Sequence, residues 1–230
     1  PIGNANEIFK SNVAGADLKL AILLLMNHIK NKHEYPEIIR LCNITAIFKK
    51  GKRNNFNNYR GVFRVVIFRS ILDRLVYNDI YPIIDKNLSD ANVGSRKGRN
   101  VRDNLFVLYA VMNSIKSGGE EPCDLGVYDV VKCFDSLWNQ ECINDLWDAG
   151  CKNDKLHLLA LGKQCASVAI KTSEGITKRF NISNAIMQGT VNSGLFCTCS
   201  MDKLAKLVYG DKSLIYNYKG VAEVPPLEMV

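Results

Sequence analysis

The stretch VYDVVKCFDSLW, residues 127–138, decides how the chain is read. It begins apolar and β-branched, meets a carboxylate at Asp129, and places Lys132, Phe134 and Asp135 close behind. The apolar run predicts a strand over 124–131 with Asp129 near its end. A carboxylate there is costly unless it is solvated, paired or bound to a metal. An oxygen ligand presented from a rigid strand end suits Mg2+, which takes few protein ligands and leaves the rest of its shell to phosphates and water. A strand-terminating aspartate that hydrogen-bonds its own turn has the same signature. Asp135 reads equally well as the N-cap of a following helix.

Bulk properties narrow the field. The 230 residues, 47% hydrophobic and 23% charged, suffice for a packed core and argue against wholesale disorder. A net charge of +7 favours a polyanionic partner, of which nucleic acid is the commonest. The eight cysteines include no C-x-x-C pair, so scattered free thiols are expected rather than a zinc site or a disulfide framework. His28, His33 and His157 fall in polar or amphipathic helical contexts and read as structural or surface residues. The most apolar run, LKLAILLLMNHI at 18–29, is too short to span a bilayer and is expected to form a buried helix, with no membrane partner.

The chain then divides into recognisable segments. A helix is expected over 14–32. CNITAIFKKGK, 42–52, starts as a strand and runs into the basic loop KKGKRNNFNNYRG, 49–61; VFRVVIF, 62–68, is β-like. Helical spacing over 69–88 contains Pro82, which should interrupt or kink the helix. A second basic loop, NVGSRKGRNVRDN at 92–104, leads into an amphipathic helix over 101–115 with Leu105, Leu108, Met112 and Ile115 on one side. Helices are expected over 139–149 and 156–162, a hairpin over 167–182 about Ser-Glu-Gly, and a loop feeding a helix over 184–210. EVPPLEMV, 223–230, reads as an incipient strand. The class is α+β, with an antiparallel sheet carrying helices on one face.

Two further patterns bear on chemistry. Lys49, Lys50, Lys52, Arg53 and Arg60 cluster in one loop, interleaved with Phe56, Tyr59 and Phe63; Arg96, Lys97, Arg99 and Arg102 cluster in the other. Basic, glycine-hinged loops lacking acidic partners suit phosphate contacts, with the aromatics as stacking platforms. Two solvated loops would show the same composition. The Gln188-Gly189 pair opens a loop whose glycine lets backbone approach a flat ligand and whose amide can meet a base pair or sugar; an ordinary turn before a helix looks alike.

The order of these segments resembles the reverse transcriptase domain of non-LTR (LINE-type) retrotransposons. ITAIFKKGKRNNFNNYRGV, 44–62, is similar to that family's I-P-K-x-G … N-Y-R-P-I segment, and NVGSRKGRNVRDNLFVL, 92–108, to its Q-x-G-F-R … S-T-x-D segment. YDVVKCFDSLW, 128–138, resembles D-x-x-K-A-F-D, and AIMQGTVNSGLF, 185–196, resembles G-x-P-Q-G-S-x-L-S-P-x-L-F. The resemblance implies right-hand polymerase fingers and a partial palm, with 1–122 mainly fingers plus palm-supporting helices and 123–230 partial palm. It implies that Asp129 is the first catalytic carboxylate, holding two Mg2+ ions with help from the Val130 carbonyl. It also implies that Phe134 lies under the incoming sugar, Gln188 and Gly189 pack on the nascent base pair, and Lys49 and Arg60 hold the triphosphate. RNA template, DNA primer and dNTP are the implied partners, and the nucleus the implied location. Lys50, Lys52, Arg53, Arg96, Lys97 and Arg99 are the expected nucleic-acid contacts.

Several positions depart from the family pattern. Phe48 and Gly61 stand where proline is usual, Asn92 and Ser95 replace Gln and Phe, Cys133 replaces Ala, Met187 replaces Pro, and Asn192-Ser193-Gly194 replaces Leu-Ser-Pro. The family's x-x-D-D hairpin should follow a strand such as PLEMV, and the sequence ends at Val230. Asp202 and Asp211 are the aspartates after Gln188, neither in a hairpin pattern. The expectation is a fragment cut before the second catalytic motif and inactive as it stands.

Overall fold

The structure, a computed structural model, describes residues 15–118, 126–152, 154–172 and 174–209. Its elements run α1 (Gly15–Lys32), α2 (Glu37–Arg40), β1 (Leu41–Phe48), a 3-10 turn (Phe56–Asn58), β2 (Tyr59–Val65), α3 (Ile67–Asn87), α4 (Val101–Lys116), α5 (Cys133–Ser136), α6 (Asn139–Asp148), α7 (Asp154–Gln164), β3 (Ser167–Lys171), β4 (Phe180–Asn181) and α8 (Ser193–Tyr209). The α+β class is observed. Among the expected elements, Cys123, Asp211 and the 223–230 segment lie outside the described residues.

The sheet is mixed rather than antiparallel. Its order is β2-β1-β3-β4; β1 pairs antiparallel with β2 and β3 with β4, but β1 and β3 run parallel. The two antiparallel pairs are hairpins, whose turns force opposite directions. The chain between β1 and β3 is long enough to cross over and return in the same direction.

α3 forms the spine. Leu72, Asp73, Val76, Tyr77, Ile80, Tyr81 and Ile84 are buried at three- and four-residue spacing along one side. The helix continues through Pro82 instead of breaking. Pro82 and Asn78, the residue whose carbonyl loses its amide partner, both lie on the exposed side, where water can replace the missing bond. Around this spine pack α1 (Met26, Ile29), α6 (Leu146), α7 (Leu158, Leu159) and α8 (Leu195, Phe196). A second cluster of Cys42, Phe63, Ala166, Val168 and Met187 lies under the sheet.

One buried ion pair joins the spine to α7. Arg69 holds Asp73 at 2.8 Å, donates to the Gly162 carbonyl at 3.1 Å and stacks over Tyr35 at 4.8 Å. A Cβ at Gly162 would collide with that guanidinium, so only glycine fits.

Two expectations about apolar runs are corrected. The 18–29 run is helical but not buried throughout: Met26 and Ile29 face the core, whereas Leu20, Leu23 and Leu24 are exposed. No helix among the described residues is long and apolar enough to cross a membrane. The strand expected over 124–131 is not formed over its described part. Residues 126–130 are irregular, and Val127, Tyr128 and Val131 are 85%, 75% and 78% exposed. A strand exists only through ladder bonds to a neighbour, and among the described residues no strand pairs with this segment. Asp135 is likewise not a helix N-cap: it lies inside the single turn α5, and Trp138 precedes α6 without a side-chain cap bond.

Candidate nucleotide and nucleic-acid site

The hairpin β1–β2 supplies the first part of the site. Its register pairs Ile47 with Arg60 and Thr45 with Val62, and the Lys49 amide extends the ladder by donating to the Asn58 carbonyl at 2.8 Å. Strand alternation therefore places Ile47, Lys49, Arg60 and Val62 on one face. The loop between the strands braces itself. The Asn58 amide donates to the Lys52 carbonyl and the Tyr59 hydroxyl to the Arg53 carbonyl, both at 2.8 Å, while the Arg53 guanidinium lies 4.9 Å over the Phe48 ring. Lys49, Lys50, Lys52, Arg53 and Arg60 are all exposed, and no ion pair engages them among the described residues.

The Gln188 loop docks onto that hairpin. The Phe63 amide donates to the Gln188 carbonyl at 2.8 Å, so the loop caps the outer edge of β2. Gly189 has φ +100° and approaches so closely that an added Cβ would lie 3.0 Å from Val62 Cγ1 and 3.2 Å from the Phe63 carbonyl oxygen. Only glycine satisfies both conditions. Because Val62 shares its face with Lys49 and Arg60, Gly189 sits on the side of the hairpin that carries those cations.

The segment holding Phe134 fastens to the other flank of the same loop. The Ile186 amide donates to the Phe134 carbonyl at 2.7 Å and the Ala185 amide to the Leu137 carbonyl at 2.9 Å. Phe134 itself is half-buried against the main core. Lys132 enters α5 with φ 52° and ψ 42°, a left-handed conformation that costs a non-glycine residue roughly 1–2 kcal/mol. Its ammonium donates to the Asn57 side-chain carbonyl at 2.8 Å, linking this segment to the basic hairpin loop. The sequence offered Lys132 only as a motif letter, and nothing in it pointed to Asn57.

Asp129 and Val130 lie on the irregular 126–130 segment, and Asp129 is exposed. Its carboxylate engages no partner among the described residues, and no group of three metal-ligating side chains forms there. A free carboxylate on an exposed segment is oxygen chemistry that a hard divalent cation accepts. It fits such an ion as part of a ligand set, not as the whole of one.

The second basic loop has a different character. Arg96, expected to contact nucleic acid, is a structural residue. It is 8% exposed, and its guanidinium donates to the Asp85 carboxylate at 2.8 Å and to the carbonyls of Asp85, Ser89 and Asn92. Arg99 pairs with Asp90 at the surface. Lys97 is exposed, with its ammonium 4.8 Å over the Tyr81 ring. The acidic partners of these arginines come from the end of α3 and the turn after it, while Asp103, the acidic residue in the loop's own sequence, caps the start of α4. Asn92 is buried and donates to the Thr198 carbonyl at 3.1 Å, and Thr198 donates to the Gly94 carbonyl at 2.7 Å. Asp202 is buried as well, accepting from the Ser89 amide at 3.0 Å and pairing with Lys206 at 2.7 Å. The loop is thus bolted to α8, and Asp202 is a structural anchor rather than a metal ligand.

Comparison with known proteins follows the same segments. Residues 47–218 match the family described as "Reverse transcriptase (RNA-dependent DNA polymerase)". The chain is also similar, at 13% identity and a TM-score of 0.49 over 84% of its length, to the structure of an apo telomerase from Candida tropicalis truncated from its C-terminal domain. It covers 45% of that chain. No curated protein matches it.

Proposed function

The chain belongs to the reverse transcriptase family, and on that premise we propose that it is the fingers and partial palm of an RNA-directed DNA polymerase of the non-LTR retrotransposon type. The observation that carries this reading is the convergence on the Gln188 loop. Phe134 on one side and Phe63 on the other hold its backbone, and Gly189 rests on the hairpin face that carries Lys49 and Arg60.

Each group then has a task in adding a nucleotide to a DNA primer on an RNA template. Lys49 and Arg60 grip the triphosphate, the guanidinium by a bidentate fork and the ammonium as a point charge. Gln188 and Gly189 offer amide and bare backbone to the nascent base pair. Phe134 lies beneath the sugar and discriminates against a 2′-hydroxyl. Asp129, with the Val130 carbonyl, would hold divalent ions, Mg2+ above all. When bound, these neutralise charge on the phosphate under attack and on the leaving oxygens. The primer 3′-hydroxyl displaces pyrophosphate at the α-phosphate, and the fixed loop positions the base pair for that displacement. Lys50, Lys52 and Arg53 extend along the nucleic-acid backbone. Copying an element's RNA at a chromosomal target would place the protein in the nucleus.

A second reading, a nucleic-acid binder without catalysis, is favoured by one observation: Asp129 lies on an exposed irregular segment rather than at a strand end. Primer extension on an RNA template separates the two. In a form that also carries the family's x-x-D-D hairpin, the first reading expects dNTP incorporation that Asp129→Asn abolishes while RNA affinity is kept. RNA binding with no incorporation by that form would establish the second. Phe134→Ala in the same form should raise ribonucleotide incorporation relative to deoxynucleotide; unchanged selectivity would remove the sugar-gate role.

A further inference from the structure

We propose that Cys133 and Cys197 form a modification site, a thiol pair that a peroxide oxidises to a disulfide, fastening the Phe134 segment to the helix behind the Gln188 loop. The two sulfurs lie 3.6 Å apart although 64 residues separate them in the chain. Both residues are half-buried, whereas Cys42, Cys142, Cys151 and Cys199 are buried away from oxidant. Cys165 is also half-buried but has no sulfur neighbour among the described residues. A disulfide needs its sulfurs about 2.05 Å apart, so the pair must close by roughly 1.5 Å. α5 is a single turn without a side-chain cap bond, which gives little resistance to such a shift.

Burial, reinforced by the neighbouring Cys133, pushes the Cys197 thiol up to about 12, so its thiolate is scarce at neutral pH. Cys133 sits on a surface turn with Lys132, Asp135 and Ser136 exposed around it, whereas Cys197 is flanked by buried Phe196 and Thr198, so Cys133 meets the oxidant first. Its sulfur takes one oxygen from hydrogen peroxide to become a sulfenic acid, and water leaves. The Cys197 sulfur then attacks the Cys133 sulfur and forms the S–S bond. The sulfenic hydroxyl departs with the Cys197 proton as a second water. Two thiols are oxidised by two electrons, and one peroxide is reduced.

The cross-link follows from thiol geometry alone; its effect on nucleotide addition rests on the polymerase reading. Cys133 immediately precedes Phe134, and Cys197 lies on α8 behind Gln188. A covalent tie between them fixes the sugar platform against the base-pair loop.

Treating the full chain with hydrogen peroxide and mapping its peptides without reduction tests the site. The expected product is a Cys133–Cys197 peptide two hydrogens lighter, with dithiothreitol restoring both thiols and Cys165 still open to alkylation. Single variants Cys133→Ser and Cys197→Ser should each abolish that peptide, the second leaving a sulfenic acid at Cys133 that dimedone traps. Independent alkylation of both thiols after peroxide, or a cross-link from Cys133 to any other cysteine, overturns the site. In a form that also carries the family's x-x-D-D hairpin, incorporation should fall at least fivefold on oxidation and return with dithiothreitol. Unchanged incorporation by fully cross-linked protein overturns the control. Absence of incorporation by the reduced form that carries the x-x-D-D hairpin overturns the polymerase reading instead and leaves the cross-link result standing.

Discussion

The two basic loops have similar composition and opposite fates. The loop at the tip of the β1–β2 hairpin projects beyond the sheet and keeps its cations exposed. The loop at 92–104 is held between the end of α3 and α8, and its most buried cation, Arg96, is turned inward onto Asp85 and three carbonyls. A count of lysines and arginines gives the charge of a segment. Whether that charge is available to a phosphate depends on which carboxylates the fold brings beside it. Desolvated guanidinium groups belong to the fold, and solvated ones remain free to meet a ligand.

The sharpest break between the loops should appear in stability. Arg96→Ala leaves several carbonyls without their donor and the part-exposed Asp85 carboxylate with only the Tyr81 hydroxyl, and should cost about 2 kcal/mol in denaturant unfolding, as loss of a buried group's hydrogen-bond partner does. Arg96→Lys should recover only part of this, because an ammonium cannot reach Asp85 and the carbonyls at once. A loss comparable to that of a surface substitution would return Arg96 to the nucleic-acid contacts.

A smaller effect is expected in acid. Burial by itself would raise the Asp85 carboxyl, but hydrogen bonds from Arg96 and Tyr81 outweigh it and hold the group below the usual carboxylate range. A depressed folded value gives stability that is fully present above the unfolded carboxylate pKa and lost as pH falls through the folded one. Unfolding free energy should therefore drop with pH below about 4, and Asp85→Asn should flatten that drop. An identical acid slope in the variant would show that the pair does not carry it.

The smallest stability effect belongs to the hairpin loop. Lys49→Ala and Arg60→Ala should each change unfolding free energy by less than about 0.5 kcal/mol. On the polymerase reading they should instead raise the dNTP KM of a form that also carries the x-x-D-D hairpin, and lower the salt dependence of RNA affinity by about one unit of slope each. Stability loss without any change in KM or salt slope would reverse the contrast between the loops.

Much of the secondary structure was legible in the chain. α1, α4, α6, α7 and α8 form close to where their apolar spacing puts them, and the hairpin about Ser-Glu-Gly forms where alternation breaks at a turn. Local propensity and period suffice for such elements, because a helix satisfies its backbone within itself. The strand expected over 124–131 does not form over residues 126–131 for the converse reason: its ladder bonds must come from another segment, and no strand among the described residues pairs with it. The uninterrupted run of α3 through Pro82 was not legible, because tolerance of a proline depends on which side of the helix faces water. The sites that the residues named were gathered only in part. Phe134 and the Gln188 loop are bonded through backbone, and Gly189 meets the hairpin face that carries Lys49 and Arg60, while Arg96 is scaffold and Asp129 stands apart from any ladder among the described residues.

By itself, then, the sequence determined the order of helices, the basic character, and the four motif segments through which the family is recognised. These are local or additive properties of the chain. Only the tertiary structure decided that β1 and β3 run parallel, that the Gln188 loop closes the edge of β2, and that Cys133 comes beside Cys197. Such contacts join residues far apart along the chain, so no local spacing encodes them. They form only when burial and backbone hydrogen bonding are satisfied together.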